Sequence, residues 1–506
     1  MPQTQLAPVP QADKDNEKYF GSEEVEKYSN IITIDDNQVL GLTHEDAEFY
    51  NNFSVERRKN VLRKVDIRLV PMLAVLYLVS HLDRANIGNA KIAGLVEDLG
   101  MSGIQYNIAL SLFFIPYVLL GFLVVSWGII VVLTGVVQNF GGLVAVRILL
   151  GVFEAGFFPG AIYLCSHWYM PKNLATRIAF FYCASALSGA FSGLLAAGIA
   201  RMDGVGGYEG WRWIFILEGL LTVLLGVLCF FLLIDSPRLS TKWLDPDEIR
   251  FLELQHFIKD GGRFKEEQKK ASWKDMRAVM LNWRMYLLAY ILLCQSACSY
   301  GTKFTLPTIT KGMGFENTNA QLMTVPPYVA GAISAVVFST LSDRFYWRMP
   351  FVVAPVMLIV IGYSIIMGLK GDLEGTNIGP GFFAIILTCM GIYPTHPATT
   401  SWTMNNLAPS NRRAIGSAFN ICIGNIGGII GSYMYLDHED PTYPTGFGLS
   451  LAFGGTALMA ALILELSFFW GNKRKAKLSE DEIRENYTDE ELLDMGDKSP
   501  LFKYTL

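Results

Sequence analysis

An acid and a guanidinium stand side by side at Asp83-Arg84, closing an apolar run that begins near Ile67. A second acid–base pair, Arg147 and Glu154, lies inside another apolar run. Ionisable groups at membrane depth are costly, so those that persist there usually serve function. Neighbouring residues of a helix point about 100° apart, so Asp83 and Arg84 need not pair with each other. Asp83 is then a candidate proton-coupling site and Arg84 a candidate substrate-binding anchor for a carboxylate. Burial favours the uncharged acid, whereas a nearby guanidinium favours the carboxylate. An anion that neutralises Arg84 therefore favours proton uptake, which is a physical basis for coupling. The plain alternative is the polar end of a span at the membrane interface. Arg147 and Glu154 are two turns apart on one helix face, too far for easy direct contact. Glu154 is the second proton-coupling candidate and Arg147 a partner or substrate anchor; the plain alternative is a structural inter-helix contact.

Tyr393-Pro394-Thr395-His396-Pro397 falls within a later apolar run. Prolines there interrupt the helical ladder and free backbone carbonyls. His396 titrates near neutrality and is a candidate substrate or proton contact, as is Tyr393; a kink holding a satisfied histidine is the alternative. Asn405, Asn406 and Asn425 offer amide donors and acceptors, with Asn425 set among glycines that suit close helix packing. His81 reads as structural, and Lys303 as a lysine snorkelling to the interface. Asp343-Arg344 and Arg412-Arg413 lie in short turns and are assigned to gating and orientation. Cys294 and Cys298 share a helix face, but no histidine or carboxylate supports a metal there, so they read as small packing residues.

These residues need a scaffold of membrane-spanning helices. Half of the 506 residues are apolar (51%) and the mean hydropathy is +0.32. The formal charge of −5 matters less than its confinement to the ends, a central block and short patches. Runs of about 20 apolar residues cross a bilayer as helices. The runs are near Ile67–Leu82, Leu143–Trp168, Ile178–Ala200, Trp213–Ile234, Met285–Leu306, Met323–Leu341, Pro350–Leu369, Gly381–Met404, Ala414–Tyr435 and Gly446–Trp470, with a long zone at Ile104–Val137. That zone makes a helix of roughly 50 Å, too long for one crossing of an approximately 30 Å core. Split in two it gives short spans of about 15 residues each. Loop charge asks for two crossings: Arg57, Arg58, Lys59, Arg63 and Lys64 place the N-terminus in the cytosol, and Lys172 and Arg177 share that side only if the zone crosses twice. The expected divisions are a disordered tail at 1–60, a helical bundle at 61–234, a cytosolic loop at 235–281, a second bundle at 282–471 and a cytosolic tail at 472–506. No phosphate-binding glycine loop, metal-ligand cluster or nucleophile elbow is present, so nothing supports an enzyme.

Three stretches carry a family likeness: Asp83-Arg84-Ala85-Asn86-Ile87-Gly88-Asn89-Ala90; the run from Arg147 to Gly160; and the run from Tyr393-Pro394 through Arg412-Arg413 to Gly431-Ser432. Together they resemble the major facilitator superfamily. More narrowly, they resemble its anion:cation symporter branch and the fungal allantoate and nicotinate permeases. The resemblance implies an all-α integral membrane protein of two six-helix bundles with substrate held between them. It implies proton symport of a small organic anion by a monomer in the plasma membrane with both termini cytosolic. Protons are the coupling ion, and no cofactor, metal or nucleic-acid partner is expected. A nutrient sensor that does not transport, or an exporter, are the alternatives. One departure is large. Where relatives carry a basic turn between helices two and three, Gly121 passes straight into Phe122, and no charge occurs from Leu99 to Val146. Helices two and three are therefore expected to be truncated or fused, with about 20 residues fewer than two full spans need.

Overall fold

The computed structural model describes residues 44–101, 105–106, 124–154, 171–199, 202–232, 234, 237, 240–259, 273–315, 317–345, 347–408, 410–478 and 495–506, with isolated positions in 157–169 and 482–492. The described elements are helices: α1 (His44–Asn52), α2 (Val55–Ile92), α3 (Val124–Thr134), α4 (Phe140–Glu154), α5 (Pro171–Ile199), α6 (Gly210–Leu232), α7 (Pro246–Lys259), α8 (Trp273–Met280), α9 (Trp283–Gly312), α10 (Val325–Phe345), α11 (Pro350–Gly368), α12 (Ile378–Asn405), α13 (Ser410–Met434) and α14 (Pro444–Lys475). Among the described residues, seven helices are long and apolar enough to cross a membrane. An eighth span arises if α8 and α9, bent by 70°, count as one. The chain forms two compact units, one of residues 1–67 with 235–268 and the other of residues 68–234 with 269–506.

In the smaller unit, part of the stretch expected to be disordered is helical. Phe53 of the α1–α2 turn stacks on Phe251 of α7 at 4.4 Å, and Tyr50 of α1 at 5.4 Å. Arg250 bridges to Asp46 at 2.8 Å, and Lys64 to Glu248 at 2.8 Å. Three aromatic rings supply the apolar surface that a polar composition hides.

In the larger unit, small residues let helix backbones meet. A Cβ on Gly427 of α13 would lie 2.3 Å from the carbonyl oxygen of Leu293 in α9, so only glycine permits that approach. A Cβ on Gly88 of α2 would lie 2.9 Å from the Phe304 carbonyl oxygen, so α2 and α9 also touch backbone to backbone. Helix α12 runs unbroken through Pro394 and Pro397. The carbonyl that Pro394 deprives of its helical donor is Met390 O, and it accepts instead from Ser334 Oγ of α10 at 2.6 Å. The freed carbonyl is thus spent on helix packing. Helix α3 is 11 residues long, far short of an approximately 30 Å core. The Gly121–Phe122 junction lies outside the described residues.

Residues 495–506, expected as part of a free tail, pack onto the helix ends of the second half of the sequence. Asn406 accepts from Thr505 N at 2.9 Å and donates to Thr505 O at 3.0 Å. Asn472 exchanges two bonds of 2.8 Å with the Tyr504 backbone. The Tyr504 ring is buried under the Arg284 guanidinium at 4.4 Å and against Phe468 at 5.2 Å. Tyr504→Ala should destabilise the protein by roughly 3 kcal/mol through lost burial. Thermal melting of the detergent-purified protein checks this, and an unchanged melting temperature would refute the packing role.

Candidate functional site

Helix α2 presents Ser80, His81 and Arg84 on one face and Asp83 on another, as a 3.6-residue period dictates. Arg84 is buried, and its Nε and Nη2 bond Glu154 Oε1 of α4 at 2.8 and 2.7 Å. Its Nη1 donates to the Tyr300 hydroxyl of α9 at 2.9 Å. Ser80 Oγ donates to the same Oε1, while Oε2 of Glu154 has no partner. Glu154, fully buried, is therefore the counter-ion of Arg84. Its spacing from Arg147 offers no direct pair, in line with the seven-residue separation.

Asp83 turns away from Arg84. Its Oδ2 accepts from Trp127 Nε1 of α3 at 2.9 Å and from Thr222 Oγ1 of α6 at 3.3 Å; Oδ1 has no partner. Arg147 sits with its guanidinium 5.6 Å above the Phe215 ring, and its Nε and Nη2 lack hydrogen-bond partners. Neither Asp83 nor Arg147 lines the cavity described next, so the reading of Arg147 as a substrate anchor is not met by its position.

A cavity with about 50 Å³ open to the centres of water molecules lies between α2, α5, α9, α12 and α13. Arg84, His81, Lys303, His396, Asn420 and Asn425 are among its walls. Arg84, His396 and Asn425 are thus brought together from three stretches far apart in sequence. Tyr393 is not in the lining: it is buried against Tyr328, ring centroids 6.3 Å apart, and against Gly331. The turn residues lie elsewhere. Arg344 is exposed, Arg413 caps the Leu407 carbonyl at 2.6 Å, and Arg412 is buried against Asp275 (3.2 Å) and Asp497 (3.7 Å). The Asp343 side chain lies outside the described residues. Burial holds the Asp497 carboxyl above its ordinary range, with Arg412 opposing.

Lys303 corrects the expectation most. It does not snorkel: 3% exposed, its Nζ lies 3.2 Å from His81 Nδ1 and 3.3 Å from the Ser185 carbonyl. Among the described residues no carboxylate pairs with it. The run was expected to end at Leu306, but α9 continues to Gly312, which places Lys303 two turns inside. His81, read as structural, is the lysine's neighbour, and its Nε2 is without a partner. Glu218 was also missed, although a lone carboxylate in the apolar run Trp213–Ile234 was a visible signal. It is buried and accepts from Asn86 Nδ2.

Comparison with known proteins agrees with this architecture. The model of the Major Facilitator Superfamily matches residues 73–432. The MFS-type transporter cnsO of Penicillium expansum is 36% identical over 504 residues, covering 94% of this chain and 96% of that protein. The high-affinity nicotinic acid transporter of Saccharomyces cerevisiae is 29% identical, covering 98% and 93%. That alignment runs over 514 positions, more than the 506 residues of this chain, so the relative carries residues with no counterpart here. The solved proton:xylose symporter XylE bound to 6-bromo-6-deoxy-D-glucose shares the fold with a TM-score of 0.61 at 13% identity, covering 79% of this chain and 95% of that one.

Removing one partner of a buried ion pair costs about 3–5 kcal/mol, because the other charge is left uncompensated. Glu154→Leu should therefore lower the melting temperature sharply, and adding Arg84→Met should restore most of the loss. A double variant that loses the sum of the two single-variant losses would show that the pair is not coupled.

Proposed function

This chain belongs to the major facilitator superfamily of membrane transporters, and we propose that it moves a small organic monoanion together with protons. Within the superfamily we place it in the anion:cation symporter branch, among fungal nicotinate- and allantoate-type permeases. The observation that carries the reading is two buried cations, Arg84 and Lys303, on opposite halves of the sequence and facing one cavity. Among the described residues, only Arg84 of the two has a carboxylate beside it. With Glu154 ionised the cavity has one positive charge in excess, which suits one carboxylate.

An entering carboxylate engages Lys303 first, because among the described residues that ammonium has no counter-ion to displace. It then competes with Glu154 for Arg84. A glutamate displaced from its guanidinium in a water-poor site favours its neutral form, so it takes up a proton. Ser80 and the unpartnered Oε2 leave room for that proton. Once the anion leaves, Arg84 recaptures Glu154 and expels the proton. The amides of Asn420 and Asn425 and the ring of His396 are polar partners for a heteroaromatic acid. The nicotinic acid transporter among the relatives supports a pyridine carboxylate as the first probe. The basic residues at one set of helix ends support cytosolic termini in a plasma-membrane importer.

Radiolabelled nicotinate uptake into proteoliposomes under an inward proton gradient tests this. Uptake should exceed that without a gradient and collapse with a protonophore. Gradient-independent behaviour across a panel of small carboxylates would sink the proposal. Lys303→Ala should raise the half-saturating concentration at least tenfold, since a charge-assisted contact contributes about 1.5–3 kcal/mol. An unaltered half-saturation would remove Lys303 as an anchor.

A further inference from the structure

We propose that Glu218 is a further proton-holding group, sharing a single proton with Asp83 beside the guanidinium of Arg147. The proposal rests on the proton-coupled reading above and extends it to a second buried cluster, since none of these three residues lines the cavity.

The geometry is a two-rung ladder between α2 and α6. Asp83 and Asn86 are one turn apart on α2, and Glu218 and Thr222 one turn apart on α6. Thr222 Oγ1 reaches Asp83 Oδ2 at 3.3 Å, and Asn86 Nδ2 donates to Glu218 Oε2. Each acid is thus gripped by the helix that carries the other. The amide of Asn86 is oriented by its far side: its Oδ1 accepts from Ser192 Oγ at 2.9 Å, and Ser192 in turn accepts from Asn89 Nδ2 at 2.6 Å. A donor, not an acceptor, is therefore aimed at Glu218.

Four buried atoms around this ladder have no hydrogen-bond partner: Asp83 Oδ1, Glu218 Oε1, and Nε and Nη2 of Arg147. Phe215, which carries the Arg147 guanidinium on its ring, is one turn before Glu218 on the same face of α6. The surrounding charges are few. Helix α2 brings Asp83, with Arg84 committed to Glu154; α4 brings Arg147 and Glu154. Helix α3 carries no titratable residue, α5 brings the Ser192 hydroxyl, and Tyr106 is within electrostatic range of Arg147. Two buried carboxylates and one buried guanidinium leave one negative charge in excess. A single bound proton neutralises it, and an unneutralised buried charge is far costlier than a bound proton. The proton occupies either acid, and its uptake or release requires no electron, cofactor or bond change beyond O–H.

Glu218→Gln keeps the shape and the bond from Asn86, so it separates proton holding from packing. Thermal melting of the purified protein across acidic to neutral pH should show a step for the shared proton. In Glu218→Gln, Asp83 no longer faces a second carboxylate, so the midpoint should move to lower pH by about one unit or more. Asp83→Asn should move it the same way, and the double variant should lack the step. A Glu218→Gln profile superimposable on that of the parent would overturn the proposal. In proteoliposomes the ratio of gradient-driven nicotinate uptake to nicotinate exchange should fall about tenfold in Glu218→Gln, matching that shift of one pH unit; an unchanged ratio also overturns it. If the parent protein neither accumulates nor exchanges nicotinate, the substrate reading fails on its own, and the melting profiles still decide the shared proton.

Discussion

A charge with no water around it must find an opposite charge, and the pair Arg84–Glu154 meets that demand at the centre of this molecule. Much of the site follows from it. The guanidinium is held through Nε and Nη2 by Glu154 and through Nη1 by Tyr300 from the other half of the chain, so α2, α4 and α9 are tied at one point. The same need makes Lys303 informative. Among the described residues no carboxylate pairs with this buried ammonium, and the anionic ligand proposed above would complete the interaction. Electrostatics thereby distinguishes two cations that composition alone would treat alike.

Packing serves those charges. Gly88 and Gly427 bring α2 and α13 against α9 at backbone distance, and α9 is the helix that carries Gln295, Tyr300 and Lys303 into the cavity. A side chain at either glycine would push these backbones apart, since its Cβ would meet a carbonyl oxygen at 2.9 or 2.3 Å. At the helix ends, residues 495–506 tie Asn406, Arg412, Asn472 and Lys475 of α12, α13 and α14 together. Arg412 thus joins elements of the same half.

The acids divide by environment. Glu154 faces the guanidinium of Arg84, which itself lines the cavity, whereas Asp83 and Glu218 face an indole, a hydroxyl and an amide. Under the proposed mechanism, substrate competition acts on the first and cannot directly reach the other two. A transporter with both kinds of carboxylate can separate the exchange of substrate charge from the holding of a proton.

Much was legible before any coordinates. Ionisable residues inside apolar runs marked Asp83, Arg84, Arg147 and Glu154, because burying charge is costly wherever the chain folds. Helical periodicity separated Asp83 from Arg84, because 3.6 residues per turn is a local property. The spans followed from hydropathy, since a helix of about 20 residues matches the bilayer thickness. What required the tertiary structure was every pairing. Glu154 lies 70 residues from Arg84 and Lys303 lies 222 from His81, and no local rule connects them. Tyr393 and Lys303 exchanged their expected places, one into the core and one into the cavity, because helix rotation and length are set by packing against neighbours. Which buried charge has a partner and which waits for one is a property of the assembled helices alone.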